Sequence, residues 1–371
     1  MTEPGTAQPT VRRASVEVLR IFDAAYGIDL AEVERILQGR APVARIRLQR
    51  VEPKAIAFDD PPVVTDLVAP ALEVGGRRVQ TRASARIYSF GVVSLSLEVK
   101  LPAPLPWAEF ETFAREAERE AAALPFWRSA LDSLLDALRR ALDQPTPRRM
   151  EEDYTAVTVR ELDPPLSAAE LLRAVDLVPL LTHESRPMAE AARRDVLRHA
   201  HSYYLDDLVV LTWDRAFILE PWEDDDVADI LEVANAQLLE LRFYDALLDD
   251  ELPRMYALAA AVRGRPALTH RRYARAASEM RALVAEITLI SEKVDNALKV
   301  TEDVYLARVY ASALDLFRFR YWTASIDRRL SLIRDTYTAL YDEAVATRAE
   351  LLEVAIVVLI LFEIIWALAG G

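Results

Sequence analysis

The sequence predicts an α+β fold: an N-terminal α/β body, then long coiled-coil helices that end in one transmembrane helix. Three observations carry that prediction. Apolar and polar residues alternate with period two in several segments before residue 221, which marks strands. Nearly everything after 225 has helical periodicity, and an apolar seam at spacings of four and three runs to the end of the chain.

Residues 1–13 form a leader without an apolar run of signal-peptide length, and it is expected to be disordered. Residues 14–23 alternate and read as a strand. Asp29 precedes LAEVERIL, a short amphipathic helix with an acidic cap. Residues 43–50 read as a second strand, and Gly75-Gly76 as a turn. Residues 82–101 read as a hairpin turning near Phe90-Gly91. Trp107 opens a helix expected over 106–142, closed by Pro145 and Pro147. The pattern then restarts. Residues 152–162 form a strand, Ser167 opens one helix, and 187–200 hold another. Residues 201–221 read as a hairpin turning near Asp214-Arg215, and a helix covers 223–248. A hairpin followed by a long helix thus occurs twice, which suggests duplicated hairpin-helix units. The alternative is that two hairpins look alike through β-pattern alone.

The helical half is expected to break near Pro253, with Gly264 and Pro266 closing it. One long helix is expected over 270–299, and Thr301 caps a second. The body therefore spans 14–265, a coiled-coil hairpin or stalk 270–350, and a transmembrane segment 351–371. The seam begins at Ile326, Leu330, Ile333, Tyr337 and Leu340 and continues through Val354, Val358, Leu361 and Ile365. A seam of that length favours a left-handed coiled coil, either within the chain or between copies.

Residues 351–371 are long enough to span about 30 Å of hydrocarbon. Glu363 opposes insertion by roughly 2–3 kcal/mol, while the Leu, Ile, Val and Phe side chains between 354 and 369 favour it by roughly 3–7 kcal/mol. Val354, Val358, Leu361, Glu363, Ile365 and Trp366 are the expected anchor residues, with Trp366 at the interface. Arg328, Arg329, Arg334 and Arg348 precede the span, so the expected topology is a single-pass C-terminal anchor with the body facing the cytoplasm.

The chain carries a formal charge of −14 and has no cysteine. An acidic chain does not rest on phosphate backbones, so a nucleic-acid partner is not expected. Disulfides, cysteine metal sites and thiol nucleophiles are excluded. His199 and His201 stand at i, i+2 near Asp206 and Asp207, but no third ligand has recognisable spacing, so they read as a polar strand end. The acidic run 223–226 reads as favourable charge at a helix N-terminus. GxSxG, P-loop and GxGxxG motifs are absent, and neither cofactor nor metal is expected. Trp107, Trp127, Trp213, Trp222 and Trp322 read as core aromatics.

The tail LEVAIVVLILFEIIWAL (352–368), together with residues 18–37, 87–97, 233–245 and 300–310, resembles the required-for-meiotic-nuclear-division family. That family carries a domain of unknown function and a membrane-anchoring C-terminal helix. The resemblance implies a role at a membrane, and for mitochondrial members a tie to organelle translation. It implies no catalytic residues. The expected function is a membrane-anchored, non-enzymatic interaction or scaffold protein that self-associates through its coiled coil and binds an unidentified protein partner. The alternatives are an enzyme with an unrecognised site in the α/β body, or a ribosome- or RNA-associated factor by family analogy.

Overall fold

The computed structural model describes residues 8–38, 43–45, 56–58, 60–146, 150–184, 186–262, 298–300 and 304–369, with scattered positions between 275 and 288. In chain order the elements begin with β1 (Thr10–Asp23), β2 (Ala25–Ile28), α1 (Leu30–Leu37), β3 (Val43–Arg45), β4 (Ile56–Phe58) and β5 (Val63–Leu67). There follow β6 (Leu72–Val74), β7 (Arg77–Val79), β8 (Thr81–Ile87), β9 (Val92–Lys100), β10 (Leu105–Pro106), α2 (Trp107–Ala122), α3 (Phe126–Ala137) and β11 (Leu142–Pro145). The second stretch holds β12 (Glu151–Asp163), α4 (Ala168–Ala174), α5 (Val178–Thr182), α6 (Glu190–Val196), β13 (Ala200–His201), β14 (Leu208–Leu211) and β15 (Arg215–Leu219). The last elements are α7 (Asp226–Val262), β16 (Leu298–Val300), α8 (Val304–Leu316) and α9 (Phe319–Ala369).

The fold is α+β around a large mixed sheet. Among the described residues the strand order is β13-β14-β15-β12-β1-β9-β8-β5-β3, with β10 also on β1. Every pairing in it is antiparallel except β12 with β15. Strand alternation sorts the side chains onto two faces. One face carries Val16, Val18 and Phe22 of β1, Val93, Leu95 and Leu97 of β9, and Ala83, Ala85 and Ile87 of β8. Trp107, Phe110 and Phe113 of α2 and Leu131 and Leu134 of α3 belong to the same apolar cluster. The other face carries Glu17, Ser94, Ser96 and Arg86, and Arg86 reaches α7.

Local chemistry explains the elements that the sequence marked. The Asp29 carboxylate accepts hydrogen bonds from the Ala31 and Glu32 amides at 3.0 and 3.1 Å, starting α1. Ser167 and Glu170 form a complete capping box on α4. Gly91 turns the β8–β9 hairpin at φ 101°, and a Cβ there would lie 1.8 Å from the Ala25 carbonyl oxygen. Only glycine fits both the backbone angle and that close approach.

Several expectations change. The helix expected over 106–142 is two helices, because Pro125 lies between α2 and α3 and removes a backbone donor. Conversely, α7 continues through Pro253 to Val262 instead of breaking there. The second long helix is divided: Phe317 and Arg318 separate α8 from α9, with Arg318 at φ 53°. Most of the helix expected over 270–299, and the Thr301 cap expected for the second long helix, lie outside the described residues. The duplicated units are not equivalent. β9 pairs antiparallel with β1, whereas β15 pairs parallel with β12. The helices after the two hairpins also join opposite faces of the sheet.

The chain divides into two compact units, Met1–Glu240 with Lys293–Arg320, and Leu241–Glu292 with Tyr321–Gly371. The first holds the sheet. In the second, Arg329 of α9 forms ion pairs with Asp245 and Asp249 of α7, the latter at 2.7 Å.

The transmembrane expectation is corrected. Among the described residues no helix is long and apolar enough to cross a membrane. Glu353 and Glu363 bracket an uncharged run, 354–362, of nine residues. At 1.5 Å per residue that run rises about 14 Å, half of the roughly 30 Å hydrocarbon layer. The transmembrane segment 351–371, the single-pass anchor and the cytoplasm-facing orientation built on it are therefore withdrawn.

Candidate functional site

The residues singled out in α9 fall into three groups. Ile326, Leu330 and Ile333 are buried. The side chains of Tyr337 and Leu340 lie outside the described residues. Val354, Val358, Leu361, Ile365 and Trp366 are 52–72% exposed, and Glu363 is exposed beside them. The apolar side chains between these positions, Ile356, Val357, Leu359, Ile360, Phe362 and Ile364, are equally open. Among the described side chains from Val354 to Trp366, the helix end is thus apolar apart from Glu363. As an anchor these residues lose their role with the span; as an apolar surface they stand out.

A second site was not legible as one. On the polar face of the sheet, β1, β8, β9 and β12 bring together side chains that alternation points the same way. Glu17 sits opposite Glu98, Ser15 opposite Lys100 and Thr158, Arg82 opposite Glu98, and Arg86 opposite Ser94. Ser84 and Ser96 share a hydrogen bond of 2.8 Å. All of these except Ser94 line an open cavity of about 470 Å³ whose rim includes Arg12, Arg13 and Arg160 from the strands and Asp225 and Asp229 from the α7 end.

Most of its cations are committed. Arg86 contacts Asp229 at 2.6 Å and Glu232 at 3.0 Å. Arg82 pairs with Asp66, Arg12 with Asp163, and Arg13 with Glu161 and Glu223. Arg160 donates to the carbonyls of Glu220, Trp222 and Asp224 and pairs with Asp225. Burial pushes the Asp229 and Glu232 carboxyls up, with Arg86 opposing. Glu17 is pushed up to about 8: burial outweighs the nearby Arg86, and Glu232, Asp229 and Glu98 add repulsion. A carboxyl pushed up to about 8 in the wall of an open cleft can take or give a proton there. Its alternation was visible in the sequence. Its burial was not, because only α7 folding over the sheet creates it.

The other candidates resolve structurally. His199 ends a short 3-10 turn (Leu197–His199) and its Nδ1 lies 2.8 Å from the Ser312 hydroxyl, while His201 lies on β13. Burial pushes His201 down, with His199 and Arg308 adding to it. Among the described residues no three acidic or histidine side chains could hold a metal ion. In the 223–226 run, Asp224 accepts from the Asp226 amide at 2.8 Å at the start of α7. On the apolar face Arg215 grips Glu118 at 2.8 and 3.2 Å, and His183 lies 3.1 Å from the same carboxylate. Burial pushes Glu118 up, but those two partners outweigh it and hold the carboxyl low. Trp107 and Trp127 are core aromatics, whereas Trp213 and Trp222 are exposed. A tryptophan on a loop gives no periodic signal to separate the two cases.

The uncharacterized protein MJ0711 of Methanocaldococcus jannaschii is 28% identical over 222 residues, covering 59% of this chain and 66% of that protein. The chain thus spans just under two thirds of the length of the curated relative it matches. No solved structure matches the chain. A family model described as the N-terminal domain of uncharacterized protein MJ0711 matches residues 13–226, from β1 to the start of α7. The resemblance to the required-for-meiotic-nuclear-division family is corrected by that match, which covers segments 18–37 and 87–97 on which the resemblance partly rested. By a match over more than half its length, the chain belongs to the family of the MJ0711 N-terminal domain.

Proposed function

We propose that the chain is a non-enzymatic interaction protein that assembles through the apolar end of α9 and presents its α/β body to a partner. One observation carries this reading: the described apolar side chains between Val354 and Trp366 are at least 50% exposed on a helix end whose described side chains there are apolar apart from Glu363. Surfaces of that kind are rare on monomers and mark interfaces. The occupant is a second copy. Val354, Val358, Leu361 and Ile365 keep the four-three spacing that lets identical helices interlock. A copy also supplies a matching Glu363, which one helix can hold at the solvent flank of the other. Sedimentation of the intact chain tests the reading: wild type forms dimers or larger species and Leu361→Asp is monomeric, while a monomeric wild type defeats it.

A second reading has its own observation. Glu17, pushed up to about 8 by burial in the polar cleft, is a group that a proton-transfer site could use. An enzyme of this kind would show a small-molecule-induced rise in melting temperature that disappears in Arg82→Ala. A metabolite panel that shifts neither protein sinks this alternative. The RNA-associated reading rested on the family resemblance and has no observation of its own.

A further inference from the structure

The first unit carries a surface that neither the α9 end nor the polar cleft uses. A cavity of about 420 Å³ is lined by Tyr204, Asp206, Glu220, Trp222 and Asp224, two aromatic and three acidic residues without a basic one. Its aromatics are turned outward: Trp222 is 70% and Tyr204 56% exposed, and the adjoining Leu205 84%. Isolated exposed apolar residues need no explanation. Here, however, buried polar groups hold them out. The buried Asp207 carboxylate accepts hydrogen bonds from the Tyr203 and Tyr204 amides at 2.7 and 2.9 Å and from the Ser202 hydroxyl at 3.1 Å. The Leu205 carbonyl accepts from the Ala168 amide at 2.8 Å. On the other side, Arg160 threads the loop after β15, donating to the carbonyls of Glu220, Trp222 and Asp224 at 3.2, 2.6 and 2.8 Å. Two loops are therefore fixed before anything binds, which lowers the ordering cost of association.

We infer that this aromatic and acidic cavity docks a basic peptide segment of a partner protein, taking an arginine side chain between Tyr204 and Trp222 against Asp206, Glu220 and Asp224. A long basic side chain suits both halves of the lining: its alkyl stem lies along aromatic rings and its cation meets carboxylates and ring faces. The chain's formal charge of −14 steers such a partner inward. A metal ion is disfavoured, since among the described residues no three acidic or histidine side chains are placed closely enough to hold one. A small free amine would leave Leu205 and Tyr203 unused, whereas a peptide running past the cavity covers them. Exposed tryptophan and tyrosine next to charge are the residues that dominate protein interfaces.

The test is fluorescence anisotropy of a labelled peptide of alternating arginine and leucine with the intact chain, in wild type, Trp222→Ala and Asp206→Asn. Circular dichroism and melting confirm that both variants are folded. The expected result is saturable binding that weakens roughly tenfold in Trp222→Ala and several-fold in Asp206→Asn, with no binding by the same peptide carrying citrulline for arginine. Repeating it in Leu361→Asp separates this surface from helix association, and binding there is expected to match wild type. Three outcomes overturn the proposal: binding unchanged in Trp222→Ala, equal binding by an oligolysine of the same charge, or full competition by free arginine methyl ester at the peptide's own concentration. The first two leave only attraction to an acidic surface, and the third leaves a small-cation site.

Discussion

Glu17 shows how one residue can read as ordinary in the sequence and unusual in the fold. In ASVEVLRIF it is a polar position of an alternating strand, and solvent is the natural assumption. In the structure it shares the cleft wall with Arg86, Asp229 and Glu98. Its carboxyl is pushed up to about 8, chiefly by burial. The folded state therefore holds a proton that the unfolded chain releases near pH 4.5. Stability from this group is full below that value and is lost as pH rises toward about 8. The buried Asp23 adds to the same slope, since burial pushes it up to about 7 against a hydrogen bond from Thr146. Denaturant unfolding of Glu17→Gln should thus show a flatter loss of stability between pH 5 and 8, and a gain of about 2 kcal/mol at pH 8. An unchanged pH slope would mean that water reaches the carboxyl freely. Period-two alternation made the position of Glu17 on β1 legible. Its environment depends on a helix more than two hundred residues away, and no local pattern encodes that.

At the scale of elements, strands and caps were legible and helix continuity was not. β1, β8, β9 and β12 form where strands were expected, although β9 and β12 are buried through six consecutive residues instead of alternating, and Asp29 and Ser167 cap the helices they precede. Proline misled in both directions. Pro125 ends α2, while Pro253 lies inside α7. A proline removes one donor and crowds one carbonyl, and tertiary contacts decide whether the helix continues. α7 also hides polar residues. Glu232, Asn235, Gln237 and Glu240 are buried along it, which an amphipathic reading places in water. One sheet residue accounts for part of this: Arg86 holds Asp229 and Glu232. Severing it should cost more than the pair contributes, because two buried carboxylates lose their cation. Arg86→Leu should destabilise by about 3–5 kcal/mol. Adding Asp229→Asn and Glu232→Gln to Arg86→Leu should recover a large share of that loss in urea melts. A triple variant no more stable than the single one would show that packing, rather than uncompensated charge, sets the cost.

For the whole molecule, the family match ends at residue 226, and the apolar helix end lies far beyond it. The matched domain supplies most of the sheet, the strand side of the polar cleft and the aromatic cavity, and α7 beyond it completes the cleft; the last helix supplies the means of assembly proposed above. The apolar seam was visible in the sequence from Ile326 onward, but a seam does not state its partner. Part of it, Ile326, Leu330 and Ile333, is buried in the single chain, and part, Val354 to Ile365, is exposed. The run that looked long enough for a bilayer is interrupted by Glu353 and Glu363. Sedimentation equilibrium of the intact chain, at several concentrations and at low and high salt, tests self-association most directly. Assembly through apolar side chains predicts a mass at least twice that of the 41.8 kDa chain, undiminished at high salt, and a monomer for Leu361→Asp. A wild-type mass of one chain at every concentration, or an oligomer that Leu361→Asp leaves intact, would contradict it.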